Sequence, residues 1–336
     1  MKKLEEIGFY TLNDERAKNA SSTSPMSRAE LLLTGRCNFS CPYCRGFDAI
    51  KCDCGDIDFD VATEALGYWI DDNLKNIRFS GGEPTLYKRL PELVKQCKDG
   101  GVERIAISSN GSRPFEVYEE LIAAGVNDFS LSLDACCASF GDKMAGVSGQ
   151  FEIVSENIRK IAERTYVTVG VVLNEENVGD LVEIVTYAHN LGVDDIRIIS
   201  SAQFNEVLAE SVKIPEYILE AHPILKYRVD HFKEGINVRG IQENDCHRCH
   251  LVKDDSVIVG NDKEAWHFPC VIAMREGCAP IGKVGPNMRQ ERLDWFEKHD
   301  SFKDEICKKN CLDVCIHYSN SCEMFEKERL TDEIIK

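Results

Sequence analysis

Three cysteines crowd one short stretch, GRCNFSCPYCRG, which places Cys37, Cys41 and Cys44 in a C-x3-C-x2-C spacing. Three thiolates in one tight loop can each hold one iron of a cubane cluster, and since electron-transfer clusters take four cysteines, a compact triplet points to an iron left open for a ligand. Zinc is the plainer alternative, because it also takes cysteines at short spacing. Downstream stands Gly81-Gly82-Glu83-Pro84. Two glycines let a backbone approach a ligand closely, and the carbonyls there, with Glu83, can receive an ammonium group. Polar side chains recur where apolar runs end, at Ser108-Ser109-Asn110-Gly111, Ser132-Leu133-Asp134 and Leu173-Asn174. Asn110-Gly111 can equally form a turn, and Ser132 can cap a strand end.

The chain has sixteen cysteines, too few for a small disulfide scaffold and many for a cytosolic enzyme, so metal or redox chemistry is the natural reading. Half of them fall in the last 96 residues: Cys246, Cys249, Cys270, Cys278, Cys307, Cys311, Cys315 and Cys322. That tail reads as a metal-binding module. Eight cysteines suffice for two full clusters, or for one cluster and several spare thiols; Cys246-x2-Cys249 beside His247 and His250 also suits structural zinc. Cys97 lies in a helical pattern and reads as a small core residue, whereas Cys136-Cys137, Cys52 and Cys54 read as passive loop residues.

These residues need a scaffold that brings loop ends together. From about residue 30, short β-branched runs alternate with stretches of helical period, the signature of repeated β-α units. Six strands are expected at 30–34, 76–80, 104–108, 128–133, 167–173 and 195–200, with helices at 59–73, 88–99, 114–124, 151–163 and 178–191 and Asp58 as a helix N-cap. Parallel strands joined by helical crossovers close into a sheet or barrel whose functional loops follow the strand C-termini. Six units suggest an α/β fold of open, partial barrel type. Residues 1–29 read as an N-terminal arm or lid, 30–204 as the barrel, 205–240 as a helical bridge, and 241–336 as the cysteine-rich domain, which, following the sixth strand, is expected to close the substrate cavity.

Apolar residues make up 43% and charged residues 29% of the 336, an ordinary globular balance. The formal charge of −17 disfavours attraction to nucleic-acid backbones or anionic lipid. No apolar run reaches membrane-span length and the N-terminus lacks a secretory apolar stretch, so a cytoplasmic protein is expected.

The cysteine triplet followed by GGEP resembles the radical S-adenosylmethionine (radical SAM) superfamily over about residues 30–200. The resemblance implies a 4Fe-4S cluster on Cys37, Cys41 and Cys44 that binds S-adenosylmethionine at its fourth iron, reductive cleavage to a 5′-deoxyadenosyl radical, and hydrogen abstraction from substrate. It implies that Tyr43 sits near the adenine, that Gly81, Gly82, Glu83 and Pro84 receive the methionine amine, and that Ser109, Asn110, Ser132 and Asn174 are candidates for carboxylate, ribose or adenine. The stretch from Cys249 to Cys270, with Pro280-Ile281-Gly282-Lys283-Val284, resembles the SPASM or twitch extension that carries auxiliary 4Fe-4S clusters. The run C-x3-C-x3-C-x6-C from Cys307 departs from the usual SPASM spacing, which leaves one or two auxiliary clusters and their ligands open.

The expected partners are S-adenosylmethionine, a peptide or small-molecule substrate, and an electron donor such as flavodoxin or ferredoxin, the auxiliary clusters assisting electron transfer. The N-terminal residues leave no room for a separate leader-peptide-binding domain, so a small-molecule or sugar dehydrogenase is an alternative. Another is the GTP cyclase of molybdopterin biosynthesis, similar in length and in the SLD segment, although that family ends in Gly-Gly and this chain ends LTDEIIK. A non-catalytic iron-sulfur protein is the reading from a different class.

Overall fold

The computed structural model describes residues 14–44, 55–201 and 213–335. Six strands, β1 (Arg28–Leu32), β2 (Asn76–Ser80), β3 (Arg104–Ser109), β4 (Asp128–Ser132), β5 (Tyr166–Leu173) and β6 (Asp195–Ser200), pair in parallel in chain order. Each is largely buried, as β-branched runs between two layers must be. A short N-terminal helix, α1 (Asp14–Asn19), precedes β1; α2 (Phe59–Asp71), α3 (Leu90–Asp99), α4 (Phe115–Ala124), α5 (Ala138–Ala145), α6 (Phe151–Ala162) and α7 (Leu181–Asn190) lie in the crossovers. Asp58 caps α2, its carboxylate accepting from the amides of Asp60 and Val61 at 2.9 and 3.2 Å. The core between layers is built from Leu31, Ile77, Phe79, Ile107, Phe129 and their neighbours, all nearly inaccessible.

The sheet does not stop at six strands. After β6, the helices α8 (Glu216–Ala221) and α9 (Pro223–Lys233) lead to β7 (Asp255–Gly260), which pairs in parallel with β1, Arg28 opposite Asp255. Two antiparallel strands follow, β8 (Ala265–Phe268) and β9 (Gly282–Lys283), giving the order β6-β5-β4-β3-β2-β1-β7-β8-β9. Short helices α10 (Val271–Arg275), α11 (Met288–Lys298) and α12 (Glu305–Asn310), then the long α13 (Asp313–Ile335), complete the tail. The tail was expected beside the sixth strand; instead its first strand extends the sheet at the opposite edge, next to β1.

Two further expectations change. Residues 14–27 are not a free arm: α1 packs on α13, Arg16 makes a two-pronged contact with Asp254 at 2.7 and 2.8 Å, and Met26 is 1% exposed. The first thirteen residues lie outside the described ones, as do Cys52 and Cys54. The bridge is helical at α8 and α9, with residues 202–212 outside the description. Among the described residues, no helix is long and apolar enough to cross a membrane.

Candidate functional site

The triplet loop leaves the C-terminal end of β1, where strand-end loops of the sheet gather. Cys37 and Cys44 are exposed and Cys41 is half-buried, and all three line one cleft with Tyr43, Gly81 and Gly82. Burial holds the Cys41 thiol up at about 11 and raises Cys37 as well. Two N–H groups face the Cys37 sulfur, the Phe39 amide at 3.4 Å and Asn110 Nδ2 at 3.8 Å. Such contacts favour sulfur carrying negative charge.

The two glycines of GGEP have a reason beyond ligand approach. A side chain on Gly82 would come within 2.2 Å of the Arg36 carbonyl oxygen, and one on Gly81, whose φ is 146°, within 2.5 Å of the Thr34 carbonyl oxygen. Only glycine lets this loop lie flat on the cysteine loop, where Gly82 N donates to Thr34 O at 2.7 Å and Glu83 N to Arg36 O at 2.8 Å. Glu83 was expected to receive an ammonium group. Its side chain, 1% exposed, turns inward instead: Oε1 accepts from Thr85 N, Thr85 Oγ1 and Ser109 Oγ at 3.1, 2.6 and 2.9 Å, and Oε2 from Asn110 N at 2.7 Å. With those four donors, Glu83 staples the loops after β2 and β3 together. Burial raises its pKa in spite of them. Pro84 is buried and opens a single 3-10 turn.

Ser109 and Asn110 line the cleft, with Asn110 Nδ2 also donating to Asn38 Oδ1 at 2.9 Å. Ser132 ends β4 at the cleft wall. Asn174 does not line the cleft; it forms the turn after β5, its Oδ1 accepting from Glu176 N at 2.9 Å. Asp134, noted in the sequence only as part of the strand end Ser132-Leu133-Asp134, fixes Tyr43: one carboxylate oxygen accepts from the Tyr43 hydroxyl and the other from Val172 N at 2.6 Å. Burial raises Asp134 to about 6. Arg197 on β6 and Arg275 at the end of α10 also face the cleft and were missed. The signal for Arg197 was a charge in the middle of an apolar strand, DIRIIS.

The tail cysteines sort themselves. Cys246, Cys249, Cys270, Cys307, Cys311 and Cys315 line one largely apolar cavity of about 40 Å³. Burial and mutual proximity hold Cys249 at about 12 and push Cys307, Cys311 and Cys315 higher, since thiolates gathered there would repel one another. Cys278 packs instead beside Leu32, Val257 and Phe268, and Cys322 beside Ala17, Leu251 and Tyr318, so these two do not reach the cavity as expected. The only set of three ligand atoms within 4.8 Å of one another among the described residues is His299, Asp304 and Cys307. One tetrahedral zinc, at about 2.3 Å per sulfur, draws its thiolates to within about 3.8 Å of each other. Among the described residues, no three of the converging cysteines have their sulfurs all within 4.8 Å of one another.

Residues 31–188 match the Radical SAM superfamily. A probable GTP 3′,8-cyclase of Metallosphaera sedula is 24% identical over 183 residues, 52% of this chain and 56% of the relative. One from Saccharolobus solfataricus is 27% identical over 65% of this chain and 64% of its own length, so the chain spans less than two thirds of either relative. Among solved structures, Streptococcus suis SuiB bound to S-adenosylmethionine superposes with a TM-score of 0.57 at 15% identity, covering 86% of this chain and 67% of SuiB. Native anSMEcpe with bound AdoMet gives 0.56 at 14% identity over 93% of this chain and 100% of its own. The likeness to these structures extends past β6 into the tail, and the segment around the cysteine loop, residues 31–188, is the part of this chain that matches the radical SAM superfamily.

Proposed function

We propose that the protein reductively cleaves S-adenosylmethionine and abstracts a hydrogen atom from a peptide or small-molecule substrate. The observation that carries this reading is the convergence of the Cys37, Cys41 and Cys44 thiols on a cleft floored by the Gly81-Gly82 loop. Cys37, Cys41 and Cys44 would hold a 4Fe-4S cluster, which would supply the one electron needed to split the sulfonium of S-adenosylmethionine into methionine and a 5′-deoxyadenosyl radical. The chain's own residues then have positional work. Backbone atoms at Gly81 and Gly82 offer the methionine amine a seat, Asn110 and Ser132 offer polar contacts across the cleft, and Asp134 holds the Tyr43 ring in place. Domain limits of 30–204, 205–240 and 241–336 follow, with the barrel sheet continued by the tail.

The tail is read as holding one auxiliary 4Fe-4S cluster, because a single cavity collects the convergent cysteines. Its ligands come from Cys249, Cys270, Cys307, Cys311 and Cys315; Cys246 also lines the cavity, and His299 Nε2 stands 3.6 Å from the Cys307 sulfur. Such a cluster would exchange an electron with substrate, and a flavodoxin or ferredoxin would supply the first one. A peptide substrate is supported by the similarity to SuiB, which has been seen bound to precursor peptide SuiA. The second reading, a GTP cyclase-like reaction, is favoured by the names of the curated relatives.

The test is anaerobic reconstitution with S-adenosylmethionine and a reductant, followed by mass spectrometry. The wild-type chain should form 5′-deoxyadenosine, and the triple variant Cys37→Ala, Cys41→Ala, Cys44→Ala should form none. That variant should keep about four irons per chain on the tail. Retained 5′-deoxyadenosine would overturn the first assignment; zinc in place of iron would overturn the second.

A further inference from the structure

The cleft has two lobes that share the cysteine loop, one of about 280 Å³ and one of about 580 Å³, against 300–1,000 Å³ for a pocket holding one drug-sized ligand. Two lobes meeting at the cysteine loop offer two places for ligands. The lobe under β3 and β4 contains Ser109, Asn110, Ser132 and the Tyr43–Asp134 pair. The other runs to the ends of β5 and β6, past Ile199 and Ser200, with Arg239 in its wall, and Arg197 and Arg275 stand where the two lobes meet and line both. Among the described residues no Asp or Glu lines that lobe.

Two of these guanidinium groups make no ion pair among the described residues, although buried Glu30 lies close enough to act on both and Asp128 on Arg197. Arg197 Nε is buried with no hydrogen-bond partner, and its Nη2 has only Ser130 Oγ, at 3.5 Å. Beneath it lies more positive charge, Arg78, whose Nε is likewise buried and unpartnered. Burial, with Arg78 and Arg28 close by, pulls Arg197 down to about 9, and Glu30 offsets this only in part. Arg275 stands exposed at the end of α10, helps hold the Glu30 carboxyl down, and makes no ion pair among the described residues. Arg239 is held by Ser200 O at 3.5 Å and Asn310 O at 3.4 Å, which keeps its charge at the lobe. Buried cations without counter-ions are costly unless an anion completes the site. Guanidinium forks match carboxylate and phosphate oxygens in particular.

We propose that the β5–β6 lobe is an anion subsite, in which Arg197 and Arg275, backed by Arg239, take a carboxylate or phosphate of the substrate. This rests on the reading that the cysteine loop and the β3–β4 lobe serve S-adenosylmethionine. It narrows the substrate to a molecule that carries an oxyanion away from the C–H bond that reacts: an acidic peptide side chain or terminus, an organic acid, or a phosphate ester.

The experiment uses the full chain, reconstituted anaerobically and loaded with S-adenosylmethionine. Two probes, inorganic tripolyphosphate and triglutamate, are titrated calorimetrically into wild type, Arg275→Gln and Arg197→Gln. Binding of at least one probe is expected, weakened tenfold or more in each variant, with the dissociation constant for S-adenosylmethionine changed less than twofold. Preference for tripolyphosphate marks a phosphate substrate and preference for triglutamate a carboxylate. Absence of binding by either probe, or variants that bind like wild type, would overturn the proposal. A parallel tenfold loss of S-adenosylmethionine affinity would overturn it too, by giving the arginines to the cofactor's own carboxylate. Arg275 is exposed, so its variant keeps the test decisive if Arg197→Gln does not fold. Failure of the underlying reading looks different: wild type would bind no S-adenosylmethionine and form no 5′-deoxyadenosine.

Discussion

At the scale of single residues, two glycines separate what the site demands from what the fold merely accepts. Gly82 has the Arg36 carbonyl oxygen where a side chain would start, 2.2 Å away, and that atom belongs to the backbone of the cysteine loop. Gly82→Ala must therefore push apart the two loops that form the cleft floor. We expect a lower melting temperature and at least tenfold less 5′-deoxyadenosine. Gly67, in the middle of α2, has open space at the same position. Gly67→Ala should stabilise by about 0.5–1 kcal/mol, from helix propensity and lost freedom in the unfolded chain. Comparing the two variants by thermal unfolding and iron content separates loop geometry from backbone flexibility; equal effects would contradict the close-approach argument. The sequence showed that GGEP mattered, but not which way Glu83 would turn. Its four donors come from Thr85, Ser109 and Asn110, two loops whose contact exists only once β2 and β3 are paired.

At the scale of elements, the six parallel strands were legible because each is a β-branched run bounded by helical periodicity, and Asn76–Ser80 and Asp195–Ser200 fall where the pattern put them. β7 was not. DSVIVG carries the same signal, but it lies among cysteines that drew the reading toward metal ligation, and its partner β1 is 227 residues away. Nothing local can report such a pairing. The joint between α8 and α9 shows another feature invisible in sequence: His222, 2% exposed, sits at that joint with Nδ1 3.2 Å from Asp194 O and Nε2 2.9 Å from His189 Nδ1. Burial holds it neutral, down to about 4, against 6.5 when free. As pH falls from 6.5 toward 4, the unfolded chain takes up a proton that the folded chain refuses, so stability present above 6.5 is progressively lost, up to roughly 3 kcal/mol. His222→Gln should remove about one proton from that dependence. The check is the drop in melting temperature between about pH 7 and about pH 5, which should be smaller in the variant.

At the scale of the whole molecule, the tail joins the two edges of an open barrel. On one side β7 continues the sheet from β1. On the other, Gly240 N donates to Cys311 O at 2.9 Å, Asp313 N to Val238 O at 2.9 Å, and the Asp313 carboxylate pairs with Arg228 and, at 2.9 Å, with His231 of α9, the helix that packs on β6. Asp313 lies between Cys311 and Cys315 in sequence, so the cavity that collects the cysteines is fastened to the barrel through this buried pair. Arg228 and His231 hold Asp313 below the usual carboxylate range despite its burial. Removing the acid leaves the Arg228 cation buried and unpaired, a loss of about 3–5 kcal/mol. Asp230, on the same helix, pairs with Lys226 at 2.5 Å in the open, where such a pair contributes about 0–1 kcal/mol. Asp313→Ala should therefore unfold far more readily than Asp230→Ala. It should also lose tail iron, falling from about eight irons per chain toward four. Since β1 and the cysteine triplet do not depend on this contact, 5′-deoxyadenosine should still form below the variant's melting temperature. If Asp313→Ala keeps all its iron and melts with Asp230→Ala, the tail is not anchored through α9, and β7 alone holds it to the barrel.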